Sequence, residues 1–212
     1  MANKQKYGKW ESFSHNRREY NFNGRGNVNL VRNGETIAVV KTKSHRQEPE
    51  GFANEVEILA SMNHPNIVTV LEYDLQAETP FMIMEFIEGG TIKDSDLSDW
   101  TIRERLACFQ QVCQAIAYVH DKGYRKSDIY RGNVFLKEDR TPVIGDFEHT
   151  KPIENTNHIA AEMTSLAQLF WEMMHGENFS SKMSEERRLN EQIEELTSQL
   201  NELKQQKAEL LS

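Results

Sequence analysis

Apolar and polar positions alternate through the first part of the chain in the pattern of short β-strands. Within residues 19–41, the apolar side chains form three clusters, which are Tyr20 and Phe22, then Val28, Leu30 and Val31, then residues 37–40. A loop that contains Gly24 and Gly26 separates the first two clusters. Asn33-Gly34 predicts a hairpin between the other two, because both central residues of a type I′ turn need positive φ. Residues 1–14 are polar, and we expect them to be loosely held.

A helix and two more strands are predicted next. Residues 50–62 place apolar side chains at helical spacing, at Phe52, Val56, Leu59 and Met62. His64-Pro65 ends this helix, because the residue before a proline is pushed out of the α region. Apolar runs at residues 67–71 and 81–87 predict strands, and Gly89-Gly90 then marks a hinge between two lobes.

The middle of the chain is rich in helix. A long helix is predicted over residues 101–121, and its apolar stripe consists of Ile102, Leu106, Phe109, Val112, Cys113, Ile116 and Val119. Residues 133–136 and 142–144 predict two short strands, and residues 160–175 predict another apolar helix. The two cysteines, Cys108 and Cys113, are interpreted as core residues of the long helix.

From Ser184 onward the apolar positions follow a heptad. They are Leu189, Ile193, Leu196, Leu200, Leu203 and Leu210. Leucine occupies every d position, and Lys207 is the only polar residue at an a position, which predicts a coiled-coil helix. This helix would form a homodimer, bind a partner helix or fold back over the preceding domain. The alternative is a solvated helix without a partner, which is disfavoured because the leucines at d would face water.

Composition narrows the class of protein. The chain has 212 residues, of which 38% are hydrophobic and 27% are charged, so it can bury a core and is not wholly disordered. No apolar run approaches the ~20 residues that cross a bilayer, and the N-terminus lacks a secretory signal. A net charge of −8 argues against nucleic acid as the main partner. Because two cysteines fit a reducing compartment, we expect a soluble cytoplasmic protein that binds neither nucleic acid nor membrane.

Five polar features occur in an order that one reaction explains. They are the Gly24-Arg25-Gly26 turn, Lys41 at a strand end, Glu55 on the next helix, Asp128 with Asn133 in a loop, and Asp146 after a short strand. Phosphoryl transfer needs backbone donors close to phosphates, a lysine directed by a carboxylate, oxygen ligands for Mg²⁺ and a carboxylate that takes a proton. Taken singly, each residue has an ordinary alternative: Lys43 matches Lys41 in charge, Glu57 lies close to Glu55, and the three loop residues also suit turns or a cap. Their joint order favours the functional interpretation.

From about residue 18 to residue 176 these motifs resemble those of the protein kinases. Residues 38–41 (Ala-Val-Val-Lys) resemble the V-A-I-K strand, and residues 54–59 resemble the C-helix. Residues 126–133 resemble the catalytic loop H-R-D-L-x-x-x-N, and residues 146–148 (Asp-Phe-Glu) resemble D-F-G. The resemblance implies Lys41 as the phosphate-binding lysine, Glu55 as its ion-pair partner, Asp128 as the base, and Asn133 and Asp146 as magnesium ligands.

The same resemblance implies an ATP site between two lobes. Met84 would be the gatekeeper, and the backbone from Glu85 to Ile87 would bind adenine. Gly24 and Gly26 would lie over the phosphates. The remaining adenine contacts are assigned to Val31 and Val39 from above and to Phe135 from below.

The chain departs from the family pattern at several positions. They are Asn29 in place of the third glycine, Lys126 and Ser127 in place of His and Arg, Tyr130 in place of a lysine, and Glu148 in place of the D-F-G glycine. Without that arginine, a phosphorylated activation loop lacks its usual partner, so we expect no control of this kind. The Asp-Phe-Glu triplet also resembles choline and aminoglycoside kinases, which keeps a small-molecule acceptor open.

The segment after Asp146 is short. Only sixteen positions separate Asp146 from Glu162, which resembles the aspartate that opens the next helix, and no Ala-Pro-Glu occurs between them. The resemblance therefore implies a C-lobe without the segment that grips a peptide and without the later helices.

We predict an α+β, bilobal protein-kinase-like fold. Its parts are a polar segment at 1–14, the N-lobe at 15–88, a shortened C-lobe at 89–182 and a coiled-coil helix at 183–212. The expected reaction is ATP- and Mg²⁺-dependent transfer of the γ-phosphoryl group to a hydroxyl, with Ser or Thr of a protein as the first choice. The alternatives are a small-molecule kinase, or a catalytically silent module that recruits a partner through its coiled coil.

Overall fold

A computed structural model describes residues 5–13, 27–45, 47–176, 184 and 187–188. The described elements are β1 (Lys6–Tyr7), β2 (Trp10–Ser12), β3 (Val28–Asn33), β4 (Thr36–Thr42), α1 (Pro49–Ala60), β5 (Val70–Asp74), β6 (Phe81–Glu85), α2 (Ile102–Asp121), β7 (Tyr124–Lys126), β8 (Val134–Leu136), β9 (Pro142–Ile144), β10 (Thr150–Pro152) and α3 (Thr156–His175). Single 3₁₀ turns lie at Ile92–Asp94 and Arg131–Asn133.

The chain divides into two compact units, residues 1–170 and 171–212. The sheets, α1 and α2 all belong to the first unit. In the second unit, the rings of Trp171 and His175 stack with their centroids 4.4 Å apart in the last turn of α3. Nearly all of the predicted coiled-coil segment lies outside the described residues, and so do Gly24 and Gly26, so these assignments stay predictions.

A six-stranded antiparallel sheet forms the N-terminal part, in the order β1-β2-β3-β4-β6-β5. The hairpin predicted between β3 and β4 is confirmed, but its turn is displaced by one residue, since Asn33 pairs with Thr36 and the central residues are Gly34 and Glu35. Among the described non-glycine residues, only Arg140 and Asp146 have positive φ, whereas Gly34 has φ 62°. Glycine at the first central position is what a type II′ turn requires.

The N-terminal residues belong to this sheet, so the expectation of a loosely held segment was wrong for residues 6–12. Tyr7 pairs with Trp10 across a turn at Gly8, and β2 continues the pairing onto β3. Both aromatic side chains are buried in one core cluster. The indole Nε1 of Trp10 also donates to Glu72 Oε2 at 3.0 Å. Because Glu72 lies on β5, this bond joins strands near opposite ends of the sheet, so the sheet is curled.

The two faces of the sheet carry different side chains. Ala38 and Val40 of β4 pack in the cluster that contains Tyr7 and Trp10, whereas Val39 and Lys41 point to the other face because side chains alternate along a strand. Helix α1 covers the Lys41 face, since its Glu55 reaches Lys41. Its predicted range of 50–62 agrees closely with the observed helix.

The chain segment after α1 connects the sheet to the helical part. The strand predicted over 67–71 begins only at Val70, because Ile67 and Val68 pair instead with Ile144 of β9. The Val68 amide donates to the Ile144 carbonyl at 2.9 Å. Further along, the Gly89 amide donates to the Leu136 carbonyl at 2.9 Å. A Cβ at Gly89 would lie 2.4 Å from that carbonyl oxygen, so this close approach requires glycine.

Helix α2 dominates the C-terminal part. Thr101 and Glu104 form a capping box at its start, which fixes where the helix begins. The first turn of the predicted apolar stripe is not buried, since Ile102 is 72% exposed and Leu106 is 45% exposed. Burial begins at Cys108, which is a free thiol, and burial raises its pKa to about 12. No helix among the described residues is long and apolar enough to span a membrane.

Candidate active site

Lys41 and Glu55 form a buried ion pair between β4 and α1. The Lys41 Nζ lies 2.7 Å from Glu55 Oε1, and both side chains are almost fully enclosed. The structure also separates these residues from their sequence rivals. Lys43 Nζ donates to the Gln47 carbonyl at 3.2 Å, and Glu57 is exposed on the outer face of α1.

Two further carboxylates approach the same lysine. Lys41 Nζ lies 3.3 Å from Asp146 Oδ1 and 3.5 Å from Glu148 Oε2. Burial works against the charge on Lys41, but Glu55, Asp146 and Glu148 outweigh it, so the pKa of Lys41 lies above its ordinary value. The lysine is therefore fully charged at neutral pH and can serve as a fixed counter-charge for an anion.

The Glu55 side chain is even more deeply buried than that of Lys41, at 1% against 9% exposed. Burial raises the pKa of Glu55 above its ordinary value although Lys41 opposes the shift. Its Oε2 has no hydrogen-bond partner among the described residues. Removing Lys41 would leave this carboxylate without its counter-charge, which typically costs about 3–5 kcal/mol.

Asp128 and Asn133 are joined within one loop. Asn133 Nδ2 donates to Asp128 Oδ2 at 2.7 Å and to the Asp128 carbonyl at 3.1 Å. The 3₁₀ turn at Arg131–Asn133 brings the two residues together. The Asn133 carbonyl in turn accepts from the Gly145 amide at 3.0 Å, which connects this loop to the residue before Asp146.

Asp146 follows the buried strand β9 in a left-handed backbone conformation. Its φ is 54°, in a region that aspartate tolerates better than most residues do. Burial favours the neutral form of Asp146, but Lys41 and Lys126 outweigh it and hold the pKa of Asp146 below its ordinary value. The carboxylate is thus ionised and close to Lys41.

Lys126 is a residue of this site that the sequence reasoning treated only as a departure from the family pattern. Its Nζ donates to Asp128 Oδ1 at 2.7 Å and to the Asp146 carbonyl oxygen. Its backbone amide donates to Glu162 Oε1 at 3.0 Å, and Glu162 Oε2 lies 2.6 Å from His120 Nε2. The signal in the sequence was its position two residues before Asp128; that Lys126 is the buried last residue of β7 is visible only in the structure.

The side chains assigned to adenine do not all face Lys41. Val39 and Met84 are paired across β4 and β6 on the Lys41 face. Val31 pairs with Ala38 and is fully buried in the opposite core, so its assignment to the adenine site was wrong. On β3 the residues that share the Lys41 face are those opposite Lys41 and Val39, namely Val28 and Leu30.

The remaining pocket residues lie where the sheet meets the helical part. The Glu85 amide donates to the Thr69 carbonyl at 2.9 Å, so this amide is already used and cannot serve as a donor to adenine. Ile87 is buried. Phe135 lies close to the Gly145 backbone, since a Cβ there would be 2.7 Å from its ring. Phe135 is therefore next to the strand end that carries Asp146.

The oxygen donors at this site suit a magnesium ion. The Asp146 carboxylate and the amide oxygen of Asn133 are hard ligands, and the Asn133 nitrogen is already occupied by Asp128. Within the described part of the chain, no group of three His, Cys, Asp or Glu side chains could hold a metal. Mg²⁺ is usually bound by one or two carboxylates together with substrate phosphates, so the donor set fits an ion that arrives with a nucleotide.

Ion pairs and hydrogen bonds thus connect Glu55 to Lys41, Lys41 to Asp146, Asp146 to Lys126, and Lys126 to Asp128. The lysine–carboxylate pair on the sheet face and the Asp–Asn loop joined to it through Lys126 are polar groups of the kind that phosphoryl transfer uses. The family model for the protein kinase domain matches residues 24–182. The chain therefore belongs to the protein kinase family.

Individual relatives agree with the family match. The chain is 30% identical over 166 residues to serine/threonine-protein kinase RAD53 of Saccharomyces cerevisiae, which covers 74% of this chain and 20% of the relative. It is 29% identical over 126 residues to serine/threonine-protein kinase Nek1 of Mus musculus (54% and 10%). It is 32% identical over 138 residues to wall-associated receptor kinase 2 of Arabidopsis thaliana (58% and 18%). The chain thus spans at most a fifth of these three relatives.

Proposed function

We propose that this chain transfers the γ-phosphoryl group of ATP, with Mg²⁺, to a hydroxyl group, and that Ser or Thr of a protein is the acceptor. One observation carries the proposal: Lys41 Nζ lies 2.7 Å from Glu55 and 3.3 Å from Asp146. Such a lysine is directed by one carboxylate toward another that can hold the metal, which is the geometry that phosphate binding needs.

Each polar side chain has one task in this reaction. Lys41 binds the α- and β-phosphates, and Glu55 fixes the direction of the lysine. The Asp146 carboxylate and the Asn133 amide oxygen hold Mg²⁺, which when bound neutralises charge on the phosphates. Asp128 orients the acceptor hydroxyl and accepts its proton as the new P–O bond forms and the bond to ADP breaks.

Different observations favour different acceptors. The relatives named above as serine/threonine-protein kinases support a protein acceptor. The segment after Asp146 is short, because β10 pairs with β7 from Thr150 and α3 starts at Thr156. This favours the second candidate, a small-molecule acceptor. Little chain is left there to grip a peptide. A catalytically silent module remains the third candidate, although it has no chemical need for all these polar residues together.

Labelled ATP tests the proposal and separates the three candidates. The intact chain and Asp128→Asn are incubated with Mg²⁺ and either a Ser/Thr peptide library or a metabolite mixture. Label on peptides that disappears in the variant supports the first candidate, and label only on a metabolite supports the second. Nucleotide binding without transfer to either acceptor set would favour the silent module and contradict the proposal.

Glu148 is expected to compete with phosphates for Lys41. Its Oε2 is 3.5 Å from Lys41 Nζ, and its side chain is partly exposed, so the interaction is screened. Glu148→Gln should therefore tighten ATP binding without Mg²⁺ by about 3- to 10-fold, with a smaller gain when Mg²⁺ is saturating. Calorimetric titration measures both affinities. Glu154→Gln removes an exposed charge from the same segment, and equal affinities in the two variants would contradict the expectation.

The leucine heptad beyond Ser184 supports a further part of the proposal, namely that residues 183–212 pair with a second copy of the chain or with a partner helix. Light scattering of the chain with and without these residues is the test. We expect the intact chain to have twice the monomer mass and the shortened chain to be monomeric. A monomeric mass for both would remove the dimer. The cytoplasmic location stays a prediction, which cell fractionation would test.

A further inference from the structure

Lys126 is the least exposed of the described charged side chains, at 0%. It is the last residue of β7 and lies between the two loops that carry Asp128 and Asp146. Its ammonium group donates to Asp128 Oδ1 at 2.7 Å and to the Asp146 carbonyl oxygen, and it stands 5.2 Å from the centroid of the Phe147 ring. Phe147 is itself fully buried, so both side chains are shielded from solvent.

A lysine in such a place needs specific compensation. Removing an ammonium from water costs several kcal/mol unless charged or hydrogen-bonding partners replace the water. Here the Asp128 carboxylate, the Asp146 carbonyl oxygen and the face of the Phe147 ring take the place of water around the Lys126 ammonium. Because all of these partners come from the two catalytic segments, the cost is offset only while both segments keep their arrangement.

The same contacts fix the Asp128 carboxylate from two sides. Oδ1 accepts from Lys126, and Oδ2 accepts from Asn133 at 2.7 Å. The family pattern has histidine at position 126, and a neutral imidazole has one N–H donor. Such a residue could not donate to Asp128 and to the Asp146 carbonyl at the same time, whereas the ammonium of Lys126 does.

We propose that Lys126 is a positioning residue for phosphoryl transfer: it holds the Asp128 carboxylate in place and ties it to the backbone of Asp146. The group that takes the proton and the group that holds the metal then keep one relative position in every turnover. This inference rests on the function proposed above. The contacts of Lys126 would keep this arrangement without a phosphorylated activation loop. This chain lacks the arginine that usually binds such a loop.

A double-mutant cycle tests the inference on the full chain. Steady-state rates are measured for the wild type, Lys126→Met, Asp128→Asn and the double variant. Lys126→Met should lower kcat by about 30-fold and leave the KM for ATP within about 2-fold, because Lys126 acts on the proton-accepting group. Added to Asp128→Asn, the same change should lower kcat by less than about 3-fold. Lys122→Met, an exposed lysine on the same side of Asp128 in sequence, is the control.

Other outcomes would overturn the inference. Full activity of Lys126→Met does so, and so does an equal loss in both backgrounds, because that pattern indicates a general structural defect. If Lys126→Met does not fold, Lys126→His replaces it, since a neutral imidazole has one N–H donor and cannot bond Asp128 and the Asp146 carbonyl together; wild-type kcat in that variant would overturn the role. A wild type without any transfer would instead contradict the proposed function, so the two failures are distinct.

Discussion

Asp128→Asn should lower kcat by about 1,000-fold while the protein stays folded. The change removes the group that we propose as the acceptor of the hydroxyl proton, and removing a general base typically costs between about 100- and 10,000-fold. Asparagine has nearly the same volume. Its amide oxygen can accept from Lys126 Nζ as the Asp128 carboxylate Oδ1 does at 2.7 Å in the wild type, and only the bond from Asn133 to Oδ2 is lost. Alanine would leave that buried ammonium without its main partner and would confuse catalysis with stability.

The measurement is the rate of phosphoryl transfer together with the melting temperature. Glu138→Gln is the control, because Glu138 is exposed in the neighbouring hairpin and the change removes the same charge. We expect wild-type kcat for the control and a melting temperature within a few degrees for both variants. A kcat for Asp128→Asn within about 10-fold of the wild type would show that Asp128 is not the proton acceptor.

Lys41→Met should lower kcat/KM for ATP by at least about 100-fold. The change removes the cation that we propose to bind the phosphates, and charge-assisted contacts of this kind contribute several kcal/mol at an enclosed site. It also leaves the buried Glu55 carboxylate without its partner at 2.7 Å, so the free energy of unfolding should fall as well. Activity and stability must therefore be separated.

A double variant separates them. Lys41→Met/Glu55→Gln removes the uncompensated carboxylate, so it should recover most of the lost stability and none of the lost activity. Lys43→Met is the matched control, since Lys43 is two residues along the chain and binds only backbone carbonyls among its described contacts. If Lys43→Met were as damaging as Lys41→Met, or if the double variant regained activity, the assignment of Lys41 would be wrong.

The sequence predicts the elements well where the pattern is long and local. Helices α1 and α2 were predicted within two residues at each end, because helical spacing and caps are local signals. The face of a strand is harder to predict. Val31 was assigned to the Lys41 side, although pairing with Ala38 puts it in the other core, since a one-residue change of register reverses every side chain.

The features that the sequence did not predict depend on contacts between distant segments of the chain. Tyr7 and Trp10 stand in a polar stretch, and only pairing with β3 and the bond from Trp10 to Glu72 reveal that the stretch is part of the sheet. The role of Lys126 depends on Asp146, which is twenty positions later in sequence. Composition and periodicity contain no information on such contacts, whereas the ordered motif residues already implied that Lys41, Asp128 and Asp146 converge.

The central claim is that these side chains converge on the triphosphate of one nucleotide. A crystal structure with Mn²⁺ and a non-hydrolysable ATP analogue tests it most directly, because anomalous scattering locates the metal independently of the protein. The account predicts a metal bound by Asn133 and Asp146 and phosphates in contact with Lys41. A triphosphate bound away from Lys41, or a metal bound without Asn133 and Asp146, would contradict it.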